Sequence, residues 1–410
     1  MKILMVIGDG MADQPLKELN YLTPLEAAKT KNMDKLASVG ISGLLYAVGP
    51  GIAPGSDLAT LAILGYDPYK VYSGRGSFEA AGAGINLKNG DVAFRCNFAT
   101  VNKDFIVQDP RAGRIRNGVE ELEESLKDLH LKSVDDVEVI FKHTLGFKAV
   151  LVLRGEGLSE KVAAEMPTVG VKADSIKPLE NSREARRTAK VLNEFIRETH
   201  RLLRDHPVNR ERVKKGLPPA NVIVPWGAGR KPHLKPFREL YGLKGACVAA
   251  VSLIKGICRL AGMTVLNVEG ATGDVDTDTM AKAEAALKAL ENHDFVFVHV
   301  EGPDEASHEG DLEGKISIIR KIDAMLGRLI EETEAEVRIA LMADHTTSLR
   351  LRRHTADPTP ITMVNNEFSK DEVNHFSERA ASRGGLGHIL GREVMPILLN
   401  ITEIHERCRF

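Results

Sequence analysis

The sequence predicts a doubly wound α/β fold, in which a mostly parallel sheet is covered by helices and an α+β domain is inserted. Two observations predict the core. Short apolar runs that end in acidic residues recur near both termini, as in KILMVIGDG, DFVFVHVEGPD and EVRIALMADH, and helical segments separate them. Buried parallel strands are nearly continuous apolar runs, and their alternation with helices is typical of a sheet covered on both faces.

The N-terminal part begins with the strand KILMVIGDG, and a helix is expected over TPLEAAKTKNMDKLASVG. Thr23 is a suitable N-cap for this helix, Pro24 suits its first turn, and Gly40 ends it. ISGLLYAV is the next strand, and it leads through the loop PGIAPGS to a short helix, DLATLAIL.

The region from about Phe78 to Gly229 has a different character, with shorter strands and with helices rich in Glu, Lys and Arg. Its strands are DVAFRCNFATV and EVIFKHTLGFKAVLVL, and its long helix is SREARRTAKVLNEFIRETHRLL. This change predicts an inserted α+β domain at residues 76–235, within a discontinuous core of residues 1–75 and 236–410.

From about Gly242 the first pattern returns. We expect a helix over CVAAVSLIKGICRLAG, a strand and turn over MTVLNVEGATG, and a helix over TDTMAKAEAALKALENH. The strand DFVFVHV, the helix KISIIRKIDAMLGRLIEE and the strand EVRIALM follow. These strands are expected to join the N-terminal ones in a single sheet.

Composition limits the class of protein. The chain has 410 residues, 43% hydrophobic and 27% charged, and a formal net charge of −2. This balance argues against nucleic acid or a membrane as a partner. The run MKILMVIGDGM is too short for a signal peptide or a membrane span. No CxxC pair occurs, which predicts reduced thiols in a cytoplasmic protein. The cysteines are Cys96, Cys247, Cys258 and Cys408.

Carboxylates and imidazoles follow three of the predicted strands. The carboxyl ends of parallel strands meet at one edge of a sheet, where ligands bind. Oxygen and nitrogen donors together suit Mn²⁺, Zn²⁺ or Co²⁺, and Mg²⁺ is a further candidate. The residues are Asp9, Asp304 and His308 at i, i+4 spacing, Asp344 and His345, and His354 nine residues later.

These donors are enough for two ions. One set consists of Asp304, His308 and His354, with His388 of GGLGHIL as a competing third ligand. The other set consists of Asp9, Asp344 and His345, together with an alcohol oxygen.

Ser56 supplies that oxygen. It lies in PGIAPGSDLATLAILG, among turn-forming residues that expose its hydroxyl, and a bound cation would stabilise its alkoxide as a nucleophile. The plainer alternatives are that Ser56 caps the following helix and that Asp9 forms a turn.

The ordered motifs resemble those of the archaeal-type 2,3-bisphosphoglycerate-independent phosphoglycerate mutases of the alkaline phosphatase superfamily. They are GDGMAD, PGSDLATLAILGYDP, RGSFEAAGAGI, DPRAGRI, PDEASH, ADHTT and RHTADPTP, and they span nearly the whole chain. The resemblance implies a two-metal core interrupted by a phosphotransferase domain. It also implies the glycolytic interconversion of 3-phosphoglycerate and 2-phosphoglycerate through a phosphoserine at Ser56, with the same two ligand sets.

The substrate carries a phosphate and a carboxylate, for which bidentate arginine is suited. The resemblance suggests that Asp109 binds glycerate hydroxyls or moves a proton, while arginines hold the acid groups. Lys255, on an otherwise apolar helix, either contacts phosphate or extends to solvent. The arginine candidates are Arg111 and Arg114 in QDPRAGRI and, more weakly, Arg210 and Arg212 in VNRERVKKG, where surface charge is an equal alternative.

Other functions on the same core stay open. A phosphomonoesterase or a phosphotransferase acting on homoserine would use the same metal chemistry, and a metal-stabilised binding module would need no exposed serine. One departure concerns substrate choice, since relatives often carry Asp-Pro-His where this chain has AAEMPTVG. Self-association into a homo-oligomer also stays open.

Overall fold

A computed structural model describes residues 1–127, 129, 131–132, 136–333, 337–364 and 369–399. The chain divides into two compact units. Unit 1 comprises Met1–Val71 and the described residues from Leu234 onward, and unit 2 comprises Tyr72–His233. These divisions lie near the expected boundaries after residues 75 and 235.

The strands, in chain order, are β1 (Lys2–Gly8), β2 (Ile41–Tyr46), β3 (Val92–Val101), β4 (Val107–Asp109), β5 (Glu138–Leu145), β6 (Lys148–Arg154), β7 (Val222–Gly229), β8 (Gly245–Val248), β9 (Thr264–Leu266), β10 (Phe295–Val300), β11 (Val337–Met342), β12 (Thr346–Ser348), β13 (Arg353–Thr355), β14 (Thr359–Val364) and β15 (Gly387–Leu390).

The α-helices are α1 (Pro24–Ala28), α2 (Lys31–Val39), α3 (Ser56–Ile63), α4 (Pro68–Val71), α5 (Arg75–Gly82), α6 (Val119–Glu124), α7 (Arg183–Leu203), α8 (Pro207–Lys214), α9 (Phe237–Tyr241), α10 (Ser252–Leu260), α11 (Thr279–Asn292), α12 (Gly302–Glu309), α13 (Leu312–Glu332), α14 (Glu378–Ala381) and α15 (Gly391–Leu399). Short 3₁₀ turns lie at Lys17–Leu19 and Ala112–Arg114.

Within the part of the chain that the structure describes, the sheet of unit 1 has eight strands in the order β15-β2-β14-β11-β1-β10-β8-β9. Strand β1 is central and pairs in parallel with β10 and β11. Only β14 runs against its neighbours, β11 and β2. The predicted doubly wound, mostly parallel α/β fold is therefore confirmed, and the carboxyl ends of β1, β10 and β11 share one edge.

Both faces of this sheet are buried. Leu4 and Val6 of β1 belong to a core cluster that also contains Ile322 and Leu326 of α13. The alternate residues of β1, Ile3, Met5 and Ile7, are equally buried. Burial on both faces explains why β1 is an uninterrupted apolar run.

Unit 2 has an antiparallel sheet in the order β4-β3-β6-β5, with β7 pairing to β3. The long helix α7 begins at Ser182, whose side chain accepts a hydrogen bond from the Ala185 amide. The core includes Phe94, Phe98 and Phe195, all fully buried. The α+β character predicted for the inserted region is what the structure has.

Two expected helices differ in the structure. CVAAVSLIKGICRLAG begins as strand β8, which pairs with β10 and β9, and its helix starts only at Ser252. A short buried apolar run fits either element, and sheet pairing decides it. The helix expected after Thr23 is two helices, because Lys29 adopts a left-handed φ of 57°. The Thr23 cap is present, as a capping box with Glu26.

Of the helices in the described residues, none combines the length and the apolar character that a membrane crossing needs. The described cysteines, Cys96, Cys247 and Cys258, are buried free thiols. Cys408 lies outside the described residues.

The core of unit 2 offers a stability test. Phe195 is fully buried, and its ring centroid lies 6.2 Å from that of Phe141. Phe195→Ala should lower the free energy of unfolding by about 3–5 kcal/mol, because it leaves a cavity. Urea titration, monitored by the fluorescence of Trp226, reports the unfolding of this unit, because Trp226 is the only tryptophan of the chain.

The matched control is Leu179→Ala, at a side chain that is 67% exposed, and it should change the free energy by less than about 0.5 kcal/mol. Equal effects of the two substitutions would contradict the assigned core.

Candidate active site

Asp9 follows the central strand β1 and is fully buried. Its amide donates to the Val300 carbonyl at the end of β10, so the two strand ends are held together. The chain then turns through Gly10, which has a φ of 58°. The Gly10 amide donates to Asp344 Oδ1 at 3.1 Å, which places the carboxylate that follows β11 beside Asp9.

The first ligand group consists of Asp9, Asp344 and His345, whose candidate ligand atoms lie within 4.8 Å of one another. His345 Nε2 lies 3.1 Å from Asp9 Oδ1 and 3.6 Å from Asp344 Oδ2. All three residues are buried. The strand ends that the sequence analysis singled out thus come together at one edge of the sheet.

Ser56 lies in this group. Its Oγ is 3.1 Å from His345 Nε2 and 3.3 Å from Asp9 Oδ2. Ser56 is the first residue of α3, whose N-cap is Gly55, so the capping role considered above belongs to a different residue. The positive end of a helix dipole also favours an anion at this position.

The second ligand group consists of Asp304, His308 and His354. Asp304 and His308 are one turn apart on α12, and His354 lies on β13. The Nε2 atoms of the two histidines are 3.3–3.4 Å from the Asp304 carboxylate oxygens and 3.2 Å from each other. His388, the competing candidate, instead lies on edge strand β15, with its ring centroid 5.7 Å from that of Tyr46.

The outer nitrogens of this group fix its tautomers. His308 Nδ1 is 2.9 Å from the Arg352 carbonyl, and His354 Nδ1 is 2.8 Å from the Pro54 carbonyl. A carbonyl only accepts, so each Nδ1 carries a proton, and Nε2, which faces Asp304, is the nitrogen through which each histidine would bind an ion. The hydrogen bond from His354 to the Pro54 carbonyl also ties the loop before Ser56 to this group.

The electrostatics indicate an excess of buried negative charge. Burial raises the pKa of Asp9 to about 7, helped by the charges of Asp344 and Asp304. Burial lowers the pKa of His345, but Asp344 and Asp9 outweigh it and raise this pKa to about 10. Asp344 Oδ2 is buried and has no hydrogen-bond partner among the described residues. In the metal-free protein, the protons on Asp9 and His345 compensate this negative charge. A divalent cation would compensate it in their place, so the donor set fits a metal site.

Asp304 differs from Asp9. Burial raises the pKa of Asp304, yet the hydrogen bond from His354 and the charges of His308 and His345 outweigh it. Its pKa therefore lies well below the usual value, and its carboxylate is ionised.

His299 and Glu301 were not among the residues predicted from the sequence. With Asp9 they form a third group of buried donors, in which His299 Nε2 lies 3.3 Å from Asp9 Oδ2. The available signal was polar residues inside the apolar run FVFVHVEGPD. A buried imidazole in a strand core is costly without polar neighbours, and here a candidate ligand lies beside it.

The substrate candidates of unit 2 lie near one another in sequence but differ in their contacts. Both Asp109 oxygens accept backbone N–H groups, from Arg111 and Gly113 at 2.8 Å, so this carboxylate closes a turn. The Arg111 guanidinium lies over the Phe147 ring, 5.7 Å from its centroid. Arg114 has a left-handed φ of 53°.

The remaining candidates are Arg212 and Arg210 of unit 2 and Lys255 of unit 1. Arg212 donates to the carbonyls of Pro218 and Ala112, which ties chain segments together, whereas Arg210 is exposed on α8. In unit 1, Lys255 is half-buried on α10, which packs against α3, and burial lowers its pKa. In the AAEMPTVG segment, Met166 and Val169 are exposed.

The fold and the site define a class of protein, the α/β enzymes in which a serine hydroxyl lies beside a carboxylate–imidazole ligand group of the kind suited to phosphoryl transfer. The chain matches the family model of 2,3-bisphosphoglycerate-independent phosphoglycerate mutase over residues 37–209. It also matches the model of type I phosphodiesterase/nucleotide pyrophosphatase over residues 181–350.

Individual relatives are similar over the full length. The chain is 48% identical to 2,3-bisphosphoglycerate-independent phosphoglycerate mutase 1 of Methanothermobacter thermautotrophicus, with 99% of each chain covered. A solved structure of a Pyrococcus horikoshii protein has 36% identity and a TM-score of 0.82, with 98% of this chain and 97% of that chain covered. The cofactor-independent phosphoglycerate mutase of Thermoplasma acidophilum has 33% identity and a TM-score of 0.65, with 97% and 99% covered.

The chain belongs to the 2,3-bisphosphoglycerate-independent phosphoglycerate mutase family. The resemblance stated from its motifs and the prediction of an enzyme of this kind are therefore confirmed. The roles given to individual residues stay predictions.

The pKa of Asp9 generates a prediction about metal binding. Below pH 7 this carboxyl is protonated in the metal-free protein, and a cation must displace that proton. Each pH unit below 7 should therefore weaken Mn²⁺ binding at this group by up to about tenfold more than displacement of the His345 proton alone does. Titration calorimetry at pH 8 and pH 6 measures the difference, and Asp9→Asn should reduce the slope. A dissociation constant that stays constant across this range would contradict the assignment.

Proposed function

We propose that the protein interconverts 3-phosphoglycerate and 2-phosphoglycerate without added bisphosphoglycerate, and that Ser56 carries the phosphate transiently. The observation that supports this most is the position of Ser56 Oγ, within 3.1–3.4 Å of both Asp9 and His345. A serine that served only as a helix cap would not need a candidate ligand carboxylate and imidazole beside its hydroxyl.

We propose two divalent ions, with Mn²⁺ the first candidate and Mg²⁺, Zn²⁺ and Co²⁺ the others. Asp304, His308 and His354 would hold one, and Asp9, Asp344 and His345 with Ser56 Oγ the other. When bound, the ions would stabilise the serine alkoxide and neutralise charge on the phosphoryl group.

The reaction takes place in two transfers. Ser56 Oγ attacks the phosphorus, the bond from phosphorus to the glycerate oxygen breaks, and that oxygen takes a proton from a nearby acid. The glycerate then presents its other hydroxyl, which attacks the phosphoserine and loses its proton as Ser56 leaves. A mutase differs from a phosphatase because positioned groups hold the glycerate in the site between the two transfers, whereas a phosphatase releases it.

Unit 2 is proposed to bind the acid groups of the substrate. Arg111 is the strongest candidate, because stacking on Phe147 orients its guanidinium for bidentate binding. Arg212 already donates to two carbonyls, which favours a structural role. Asp109 accepts two backbone N–H groups, which fix the position of its carboxylate, and we assign it to glycerate hydroxyls. Lys255 is proposed to contact phosphate.

The proposed partner is a small phosphorylated acid. The buried free thiols of Cys96, Cys247 and Cys258 fit a reducing compartment, and we propose the cytoplasm.

The direct test is the assay of Ser56→Ala. The wild-type protein with Mn²⁺ should convert 3-phosphoglycerate to 2-phosphoglycerate, and EDTA should abolish the conversion until metal is added back. Ser56→Ala should lower kcat on the order of 1,000-fold or more, because the nucleophile is lost. The control, Ser38→Ala, removes a hydroxyl that only bonds the Lys35 carbonyl on α2 and should leave kcat unchanged.

Full activity of Ser56→Ala would contradict the phosphoserine route. Release of inorganic phosphate in place of mutase product would show a phosphomonoesterase instead.

A further inference from the structure

Thr347 lies between the two ligand groups and touches a member of each. Its Oγ1 is 2.6 Å from Asp304 Oδ1, which belongs to the second group, and 3.1 Å from His345 Nδ1, which belongs to the first. Thr347 is fully buried on β12. No other hydroxyl in the described hydrogen bonds joins the two groups in this way.

The directions of these two hydrogen bonds follow from the number of protons. A threonine hydroxyl has one proton to donate, and an ionised carboxylate only accepts. The proton of Thr347 therefore goes to Asp304, as the short 2.6 Å distance indicates for a charge-assisted bond. The remaining bond must run the other way, so His345 Nδ1–H donates to Thr347 Oγ1.

This fixes the chemistry of His345. With a proton held on Nδ1, the nitrogen available to bind a cation is Nε2, since a neutral imidazole has one lone pair on its ring nitrogens. Nε2 is the atom that lies 3.1 Å from both Ser56 Oγ and Asp9 Oδ1. In the other tautomer, the lone pair would point at the threonine and the ion would meet an N–H.

We infer that Thr347 is a positioning residue for the metal site: its hydroxyl selects the His345 tautomer whose Nε2 faces Ser56, and it fixes Asp304 relative to that imidazole. The inference rests on the proposed two-metal site and goes beyond it, because it assigns a role to a residue that is not itself a ligand.

The surroundings of Thr347 hold its hydroxyl in place. The Thr347 carbonyl accepts a hydrogen bond from Lys315 Nζ at 2.9 Å. The same ammonium donates to Asp13 Oδ2 and to the Ala12 carbonyl, and it is fully buried. The segment after Asp9 and strand β12 are thus joined through one cation, whose three donors are all used.

The chain also leaves room for the hydroxyl. A Cβ placed at Gly10 would lie 2.4 Å from Thr347 Oγ1 and 2.9 Å from Asp304. Glycine at this position allows Asp9, Thr347 and Asp304 to approach one another, in addition to permitting the positive φ of the turn.

The test compares Thr347→Val with Thr347→Ser. Valine keeps the shape and removes both hydrogen bonds, whereas serine keeps the hydroxyl and loses only a methyl group. Mn²⁺ binding to chelator-stripped protein, followed by electron paramagnetic resonance of the free ion, should be weakened about 10- to 100-fold by valine, the range expected for loss of a ligand-orienting partner. Serine should stay within about threefold of wild type.

A second readout is one that a purely structural role would not move. In protein with ¹⁵N-labelled histidine and bound Zn²⁺, a diamagnetic ion, the His345 signals should report a proton on Nδ1 in the wild type and in Thr347→Ser. In Thr347→Val, the chemical shift of the Nδ1 proton should no longer be that of a hydrogen-bonded proton. His345→Gln assigns the signals by their disappearance. If Thr347→Val does not fold, Thr347→Ala, which is smaller and also lacks the hydroxyl, takes its place.

Unchanged Mn²⁺ affinity in the variants without the hydroxyl would overturn the inference, and so would a wild-type protein that binds no divalent cation. Failure of the proposed function looks different: the wild-type protein would bind Mn²⁺ in a Thr347-dependent way and yet would not interconvert phosphoglycerates.

Discussion

Buried carboxylates crowded at the carboxyl edge of the sheet are the constraint on which the rest of unit 1 depends. Asp9, Asp304 and Asp344 are each at least nine-tenths buried, and like charges in such a place cannot all ionise without a compensating charge. His345 is one cation that the protein itself supplies there, and its pKa of about 10 reflects the neighbouring carboxylates. The proposed ions would replace that proton and complete the compensation.

The fold explains how these charges come together. Strand β1 is central in the sheet and carries Asp9 at its end, while its two parallel neighbours lead to Asp304 and Asp344. A parallel sheet requires crossover connections, and these place helices over both of its faces. The carboxyl edge is therefore where polar side chains collect beside the apolar core. Ser56 comes from a separate segment, and the bond from His354 to the Pro54 carbonyl holds that loop at the same edge.

The sequence predicted the ligand groups because strand ends and i, i+4 spacing determine where such side chains lie. It could not separate His354 from His388 by spacing, and the pairing of β15 with β2 is what places His388 elsewhere. Thr347 and His299 were missed because their roles depend on hydrogen-bond directions and side-chain distances, which periodicity does not contain.

Strand β8 and the break at Lys29 were missed for related reasons. A four-residue apolar run becomes a strand only because β10 and β9 lie beside it. A left-handed lysine gives no signal in composition, since that conformation is usually marked by glycine. The substrate roles of Asp109, Arg111, Arg114, Arg210, Arg212 and Lys255 stay predictions.

Counting bound ions tests the central claim most directly. Equilibrium dialysis of chelator-stripped protein against Mn²⁺ should give about two tightly bound ions per chain, as a two-ion site requires. Asp344→Asn should reduce the count to about one, because it removes a carboxylate from one group and leaves the other intact. A wild-type protein without tight ions, or an unchanged count in the variant, would contradict the account.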